Sequence, residues 1–154
     1  MSAVDARLKA LGLELPPAAA PIANYVPCHL VGNLLLVSGQ ISRTGDGQVL
    51  AGKLGGDLNV EAGRAAARVC ALSVLAQVRA ALGSLDRVAR VIKLTGFINA
   101  VPAFTEHPAV VNGASDLLVE VLGEAGRHTR SAVGVSSLPL DAAVEIEAIV
   151  EVLA

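Results

Sequence analysis

The C-terminal stretch, residues 144–152, alternates apolar and acidic side chains and so constrains the fold more than any other segment. It reads Val-Glu-Ile-Glu-Ala-Ile-Val-Glu-Val. Successive side chains of a strand point to opposite faces of the sheet. One face of this strand therefore carries only Val, Ile and Ala, and the other carries Glu145, Glu147 and Glu151 together with Ile149. We expect a sheet with one face packed on a core and one acidic face.

Two further elements have clear sequence signals. Residues 26–30 and 34–38 flank Gly32-Asn33, a dipeptide that tolerates positive φ, and this predicts a β-hairpin whose second strand is largely buried. A long helix is predicted from Asn59, a residue suited to the N-cap, to Gly83, a residue suited to ending a helix. Its charged residues form one narrow stripe, so the helix should be buried on more than one side.

The remaining elements complete the order β-β-α-β-α-β-β. Residues 88–99 have the β-branched content and length of a central strand, and residues 111–122 form a second amphipathic helix with Asn112 as its N-cap. Residues 130–135 form a strand that we expect to pair antiparallel with the last one. Two helices cover only one face of this mostly antiparallel sheet, so the fold class is α+β and the other face needs a partner.

Length and composition favour one self-associating domain. The chain has 154 residues, a net charge of -2 and 53% hydrophobic residues, with a mean hydropathy of +0.60. One domain at residues 22–154 is expected, preceded by an arm at residues 1–21 that ends in a Pro/Ala-rich hinge. The charge gives no basis for holding a phosphate backbone. No leader peptide or membrane span is recognisable, so we expect a cytoplasmic location.

No pattern of metal ligands is present. Cys28 and Cys70 are far apart, and His29, His107 and His128 are scattered without a ligand spacing. We therefore expect buried free thiols, no metal and no cofactor.

Arg130 and Glu145 are the best candidates for a working site. With antiparallel pairing of their strands, Arg130 would lie opposite or diagonal to Glu147 and Glu145. A guanidinium beside a carboxylate can bind a small anion next to a proton carrier. It can equally be a surface ion pair that contributes ~0.2 to 1 kcal/mol. Spacing alone favours the ion pair.

Several segments together resemble the RidA family (YjgF/YER057c/UK114). The matching pieces lie in order over residues 22–153. They are Tyr25, the run Gly-Asn-Leu-Leu-Leu-Val-Ser-Gly-Gln-Ile at 32–41, residues 85–98, Asn112, Arg130-Ser131, and Leu138-Pro139 leading into Val-Glu-Ile-Glu-Ala at 144–148. The resemblance implies a chorismate-mutase-like fold, a homotrimer around a central barrel and three clefts between subunits.

The resemblance also implies roles for particular residues. Arg130 matches the arginine that holds the substrate carboxylate, and Glu145 matches the glutamate that positions the water or moves the proton. Residues matching Tyr25, Ser38, Gly39 and Asn112 line the same cleft, and Ser131 and Ala132 follow the arginine there. Ala132 stands where deaminases often carry Cys, and Gly134 stands where an acidic residue is frequent.

The implied activity is a cofactor-independent hydrolase. It converts 2-aminoacrylate-type enamines, or their imines, to 2-keto acids and ammonia. The alternative is a regulator that binds a 2-keto acid or similar carboxylate without turnover. An endoribonuclease or translation inhibitor ranks last, because the chain is acidic and only 2% aromatic.

Overall fold

The computed structural model describes all 154 residues. Three α-helices and five β-strands form the fold. In chain order they are α1 (Ala3–Ala10), β1 (Cys28–Val31), β2 (Leu34–Ile41), α2 (Val60–Leu82), β3 (Val88–Asn99), α3 (His107–Leu122), β4 (Thr129–Val135) and β5 (Val144–Val152). Apart from the short α1, the order is the β-β-α-β-α-β-β that the sequence predicts.

The five strands form one mixed sheet in the order β1-β2-β5-β3-β4. β1 and β2 are the predicted hairpin, and β5 lies between β2 and β3 with antiparallel pairing on both sides. The prediction that β4 pairs antiparallel with β5 is wrong, because β4 runs parallel to β3 at the sheet edge. Both edges of β5 are already occupied, so the strand that follows the α3 crossover pairs with the free edge of β3.

The helices α2 and α3 pack on one face of the sheet and enclose the core. Asn59 caps α2 by accepting a hydrogen bond from the Ala62 N–H, and Gly83 ends the helix at a φ of 81°. By length and composition, α2 could cross a membrane, with a mean hydropathy of 1.4 over its most apolar window. However, 56% of that window is buried inside the domain. Here α2 is the central helix of the core.

The second long helix begins earlier than the sequence predicts. α3 starts at His107, and Pro108 occupies its first turn, where a proline has no helical N–H to lose. Asn112 therefore lies inside the helix, and the prediction that it is the N-cap is wrong. Glu106 precedes the first turn and makes no side-chain cap.

The face of the sheet opposite the helices is uncovered in the single chain. The prediction of a largely buried second hairpin strand is wrong, because in β2 only Leu35 and Val37 are buried and Leu34 and Leu36 are exposed. On β5 the predicted alternation is confirmed. Its Val, Ile146 and Ala positions are buried, whereas the three glutamates are not.

The first 21 residues pack along the domain. Leu8 of α1 is 4% exposed and belongs to the main core. The N–H groups of Ala3 and Val4 both donate to the Asp86 carboxylate at 3.0 Å, and Arg7 donates to the Glu120 carbonyl at 3.2 Å. These contacts hold the start of the chain beside the α2–β3 connection and α3.

Candidate functional site

The two leading candidates, Arg130 and Glu145, lie far apart in one chain. In the sheet register Arg130 is beside Leu94, whereas Glu145 is beside Phe97 on the other side of the same strand. Two strand spacings and three residues along the strand put their Cα atoms about 14 Å apart. Arg130 also points to the helix-covered face, because Leu94 beside it is buried in the core. The predicted cross-strand pair therefore does not form within one chain.

Glu145 lines a cavity of about 510 Å³ at the β2 end of the sheet. Tyr25 and Gly39, two of the other predicted site residues, line the same cavity. Further walls come from the segment before β1, the turn after β2 and helix α2, including Pro16, Pro17, Ala19, Ala20, Ile22, Arg43, Ser73 and Gln77. The Gln77 side-chain amide donates to the Ala19 carbonyl at 2.9 Å and so ties the N-terminal segment to α2.

The electrostatics of Glu145 differ from those of a surface glutamate. Its carboxylate is half-buried and has neither a hydrogen bond nor an ion pair. Burial raises the pKa of Glu145, and the negative charge of Glu147 raises it further. A carboxyl group of raised pKa holds a proton more readily, which suits a group that exchanges protons with a ligand.

The β-bulge in β2 explains why Gly39 is needed beside Glu145. The register between β2 and β5 shifts between Val37 and Gln40, and Gly39 lies within that shift. A Cβ atom at Gly39 would overlap Glu145 Oε1 and lie 3.0 Å from its Cδ. The neighbouring Ser38 hydroxyl donates to the Val26 carbonyl at 2.8 Å, so it holds the chain after Tyr25 against the strand.

Arg130 lies on the other side of the domain, against α3. Its Nη1 donates to Ser115 Oγ at 3.0 Å, and its Nη2 donates to the Pro108 carbonyl at 3.4 Å. The guanidinium has five N–H groups, so three remain without an acceptor in the chain. A planar group with several free donors can bind a carboxylate through two parallel hydrogen bonds.

The positive charge of Arg130 has no carboxylate within 4.0 Å. Five other arginines do pair with a carboxylate: Arg64, Arg68, Arg79, Arg90 and Arg127. Arg130 is half-buried, yet both groups that it contacts are neutral. An arginine in this state can accept an anion without first breaking an ion pair.

Ser115 and His128, which the sequence does not single out, complete the surroundings of Arg130. His128 Nε2 lies 2.9 Å from Ser115 Oγ, and its Nδ1 lies 2.6 Å from the Gly126 carbonyl. Burial lowers the pKa of His128 against the opposing effect of the Gly126 hydrogen bond, and the charge of Arg130 lowers it further. Ser115 and His128 belong to different elements, so no local spacing could reveal their contact.

The remaining predicted site residues, Asn112, Ser131 and Ala132, belong to α3 and β4, the two elements around Arg130. Ala132 lies on the same face of β4 as Arg130, and Asn112 lies on α3, one helical turn before Ser115. Ser131 is exposed and points to the opposite face of β4. At Gly134 a Cβ atom would lie 2.5 Å from His107 Nε2, so the imidazole fills the space that a side chain at this position would take.

Comparison with known proteins places the chain in a family. The family model described as "YjgF/chorismate mutase-like, putative endoribonuclease" matches residues 5–152. Protein TCP17 of Trypanosoma cruzi is 54% identical over 149 residues, covering 96% of this chain and 93% of TCP17. The crystal structure of Atu1372 from Agrobacterium tumefaciens, a protein of unknown function, has a TM-score of 0.90 and 51% identity, covering 97% of this chain and 92% of that one.

More distant solved structures carry functional names. TdcF from E. coli, solved with bound serine, has a TM-score of 0.63 and 29% identity, covering 89% of this chain and 93% of its own. The matched structures also include a RidA protein, and others named as candidates for an endoribonuclease or a translation initiation inhibitor. With its family-model match over nearly the whole sequence and its shared fold, the chain belongs to the YjgF/chorismate mutase-like family, the family of the RidA proteins.

Proposed function

We propose that this protein is an enamine/imine deaminase whose active sites lie between the subunits of a homotrimer. One observation carries the proposal. Each chain holds a half-buried carboxylate, Glu145, and a half-buried guanidinium, Arg130, and neither has a partner of opposite charge. The two lie on different sides of the domain, so a cleft containing both needs two copies of the chain.

The uncovered sheet face supports association of the copies. On this face Val31 of β1 and Leu34 and Leu36 of β2 are between 38% and 58% exposed. Apolar side chains on adjacent strands form a patch that a closed, symmetric assembly would remove from water. The barrel of three sheets implied by the family resemblance is such an assembly.

The proposed reaction needs a carboxylate anchor and a proton carrier. Arg130 binds the substrate carboxylate through its free N–H groups. Water adds to the carbon of the C=N bond while Glu145 takes a proton from that water and passes it to the imine nitrogen, which gives a carbinolamine. Glu145 then takes the proton of the carbinolamine hydroxyl and passes it to the nitrogen, so the C–N bond breaks, ammonia leaves and the C=O bond of the 2-keto acid forms. Its raised pKa suits both steps. The serine bound to TdcF, a small amino acid with a carboxylate, fits an anchor of this kind.

A coupled assay tests the activity. Purified protein is mixed with a pyridoxal-phosphate dehydratase that releases 2-aminoacrylate or 2-aminocrotonate, and keto-acid formation is followed. The wild type should speed product release, Arg130→Ala should not, and Arg127→Ala, a change in the exposed arginine paired with Glu124, should behave as wild type. Equal rates with wild type and Arg130→Ala would overturn the proposal. Binding of keto acids without any turnover would instead indicate the regulator.

A mixing experiment tests the position of the site between subunits. Arg130→Ala and Glu145→Gln chains should each be inactive alone. When they are co-expressed in equal amounts, random trimers should combine an intact Arg130 and an intact Glu145 in about a quarter of the clefts. Recovery of about a quarter of the wild-type activity supports the shared cleft. No recovery in confirmed mixed trimers would show that both residues act from one chain.

A further inference from the structure

The contacts of Arg130 form a chain of hydrogen bonds with a definite direction. The Gly126 carbonyl can only accept, so His128 Nδ1, 2.6 Å away, carries the proton. In the neutral imidazole, Nε2 is then an acceptor, and it takes the Ser115 hydroxyl proton across 2.9 Å. This leaves the lone pairs of Ser115 Oγ to accept from Arg130 Nη1 at 3.0 Å.

We propose that Ser115 and His128 are positioning residues that hold the Arg130 guanidinium ready for the substrate carboxylate. This inference rests on the proposed function, in which Arg130 is the carboxylate anchor. His128 fixes the orientation of the Ser115 hydroxyl, and the hydroxyl fixes Nη1. The substrate carboxylate then meets a guanidinium already in place.

The backbone around Gly126 holds this network in place. The chain after α3 folds back so closely on the helix that a Cβ atom at Gly126 would overlap the Leu118 carbonyl oxygen and lie 2.5 Å from its carbon. This close approach sets the Gly126 carbonyl opposite His128, two residues later in the chain. Ser115 projects from α3 itself, so the helix and the segment leading into β4 supply one partner each.

Neutral partners are suited to this task. A carboxylate beside Arg130 would also orient the guanidinium, but it would compete with the carboxylate of the substrate. A hydroxyl and a backbone carbonyl fix the side chain and leave its charge available. An unrestrained arginine would also lose more rotamer entropy when the ligand binds. Burial of His128 helps to keep the ring neutral by lowering its pKa, which preserves Nε2 as an acceptor.

Variants of Ser115 test the inference through ligand affinity. Ser115→Ala removes the hydroxyl and should raise the Kd for 2-oxobutanoate, measured by calorimetry, and the KM for the imine about tenfold. The kcat should change little, because Glu145 is untouched. Ser115→Thr keeps the hydroxyl and should restore most of the affinity. Ser137→Ala, at an exposed serine whose side chain makes no hydrogen bond, is the control and should bind as wild type.

Arg130→Ala, measured in parallel, separates the failure of this inference from that of the proposed function. If Arg130→Ala no longer binds 2-oxobutanoate and Ser115→Ala binds it as wild type does, the positioning role of Ser115 is wrong, whereas the role of Arg130 as carboxylate anchor is supported. If Arg130→Ala also binds as wild type, both proposals fail. A drop in kcat with unchanged KM in Ser115→Ala would likewise overturn positioning.

Nitrogen NMR of the wild-type histidines gives a second test that requires no variant to fold. At neutral pH the His128 ring should be the Nδ1–H tautomer, with an unprotonated Nε2. The opposite tautomer, or a doubly protonated ring, would overturn the proposed order of donors.

Discussion

The contact between Gly39 and Glu145 allows the proposed catalytic carboxylate to be perturbed while the fold is left almost intact. In Gly39→Ala the new Cβ would overlap Glu145 Oε1 and lie 3.0 Å from Cδ. Gly39 does not have a positive φ, so alanine fits the backbone itself. Only the carboxylate, at the end of a flexible side chain, has to move.

The size of the displacement sets the expected effect. Ordinary contacts between heavy atoms are ~3.5–4.0 Å, so the carboxylate must withdraw by about 1 Å or more. A misplacement of about 1 Å in a catalytic group can cost ~100-fold in rate. The free energy of unfolding should change little. A strained Glu145 rotamer costs ~0.5–1.5 kcal/mol. Replacing glycine by alanine also reduces the conformational entropy of the unfolded chain, which stabilises the folded state by ~0.4–1 kcal/mol and offsets part of that cost.

The assay therefore compares kcat/KM for imine hydrolysis with thermal unfolding in Gly39→Ala. We expect a loss of ~100-fold in kcat/KM with a Tm within about 4 °C of wild type. Gly56→Ala is the control, because a Cβ there meets its nearest atoms at an ordinary 3.4 Å. In a Glu145→Gln background the Gly39 change should cause no further loss, since both act on one group. Wild-type kcat/KM in Gly39→Ala would refute the requirement for a fixed carboxylate.

Two further changes test the electrostatics of Glu145 and the packing of the helices. The folded-state pKa of Glu145 is raised above its usual 4.5, so the cost of its charge is absent below pH 4.5, grows as pH rises from there towards the folded-state value, and is complete above that value. Glu145→Gln should therefore have a higher Tm than wild type near neutral pH and no advantage in acid; a lower Tm near neutral pH would contradict this. Gly113→Ala places a Cβ 2.9 Å from the Arg64 carbonyl carbon, between α2 and α3, and should lower the free energy of unfolding by ~1–3 kcal/mol in urea titrations. An unchanged free energy of unfolding in Gly113→Ala would show that α2 and α3 can move apart to accommodate the added methyl group without cost.

Local features of the sequence predicted most of the elements correctly. The alternation in β5, the Gly32-Asn33 hairpin and both ends of α2 follow from side-chain periodicity, positive φ and capping, which act over a few residues. The predicted start of α3 at residue 111 is too late, because the helix begins at His107 with Pro108 in its first turn. A proline is equally suited to the first turn of a helix, and it is found there.

The pairing of β4 depends on longer-range competition and could not be obtained from its own residues. The short run at 130–135 is compatible with either neighbour. The element order β3-α3-β4 does indicate this pairing, because two strands joined by a helix usually pair in parallel. The pairing of β4 with β3 separates Arg130 from Glu145 within one chain. A site that contains both residues therefore requires two chains.

The residue pattern alone predicts the element order, the buried and acidic faces of β5, and Arg130 and Glu145 as candidate site residues. These features follow from side-chain periodicity and residue chemistry, which depend only on the order of residues along the chain. The packed fold, in contrast, places the two charges on opposite faces of the sheet and brings Ser115 and His128 to Arg130. Such contacts join residues from different elements, and their geometry is set by how the whole sheet and its helices pack.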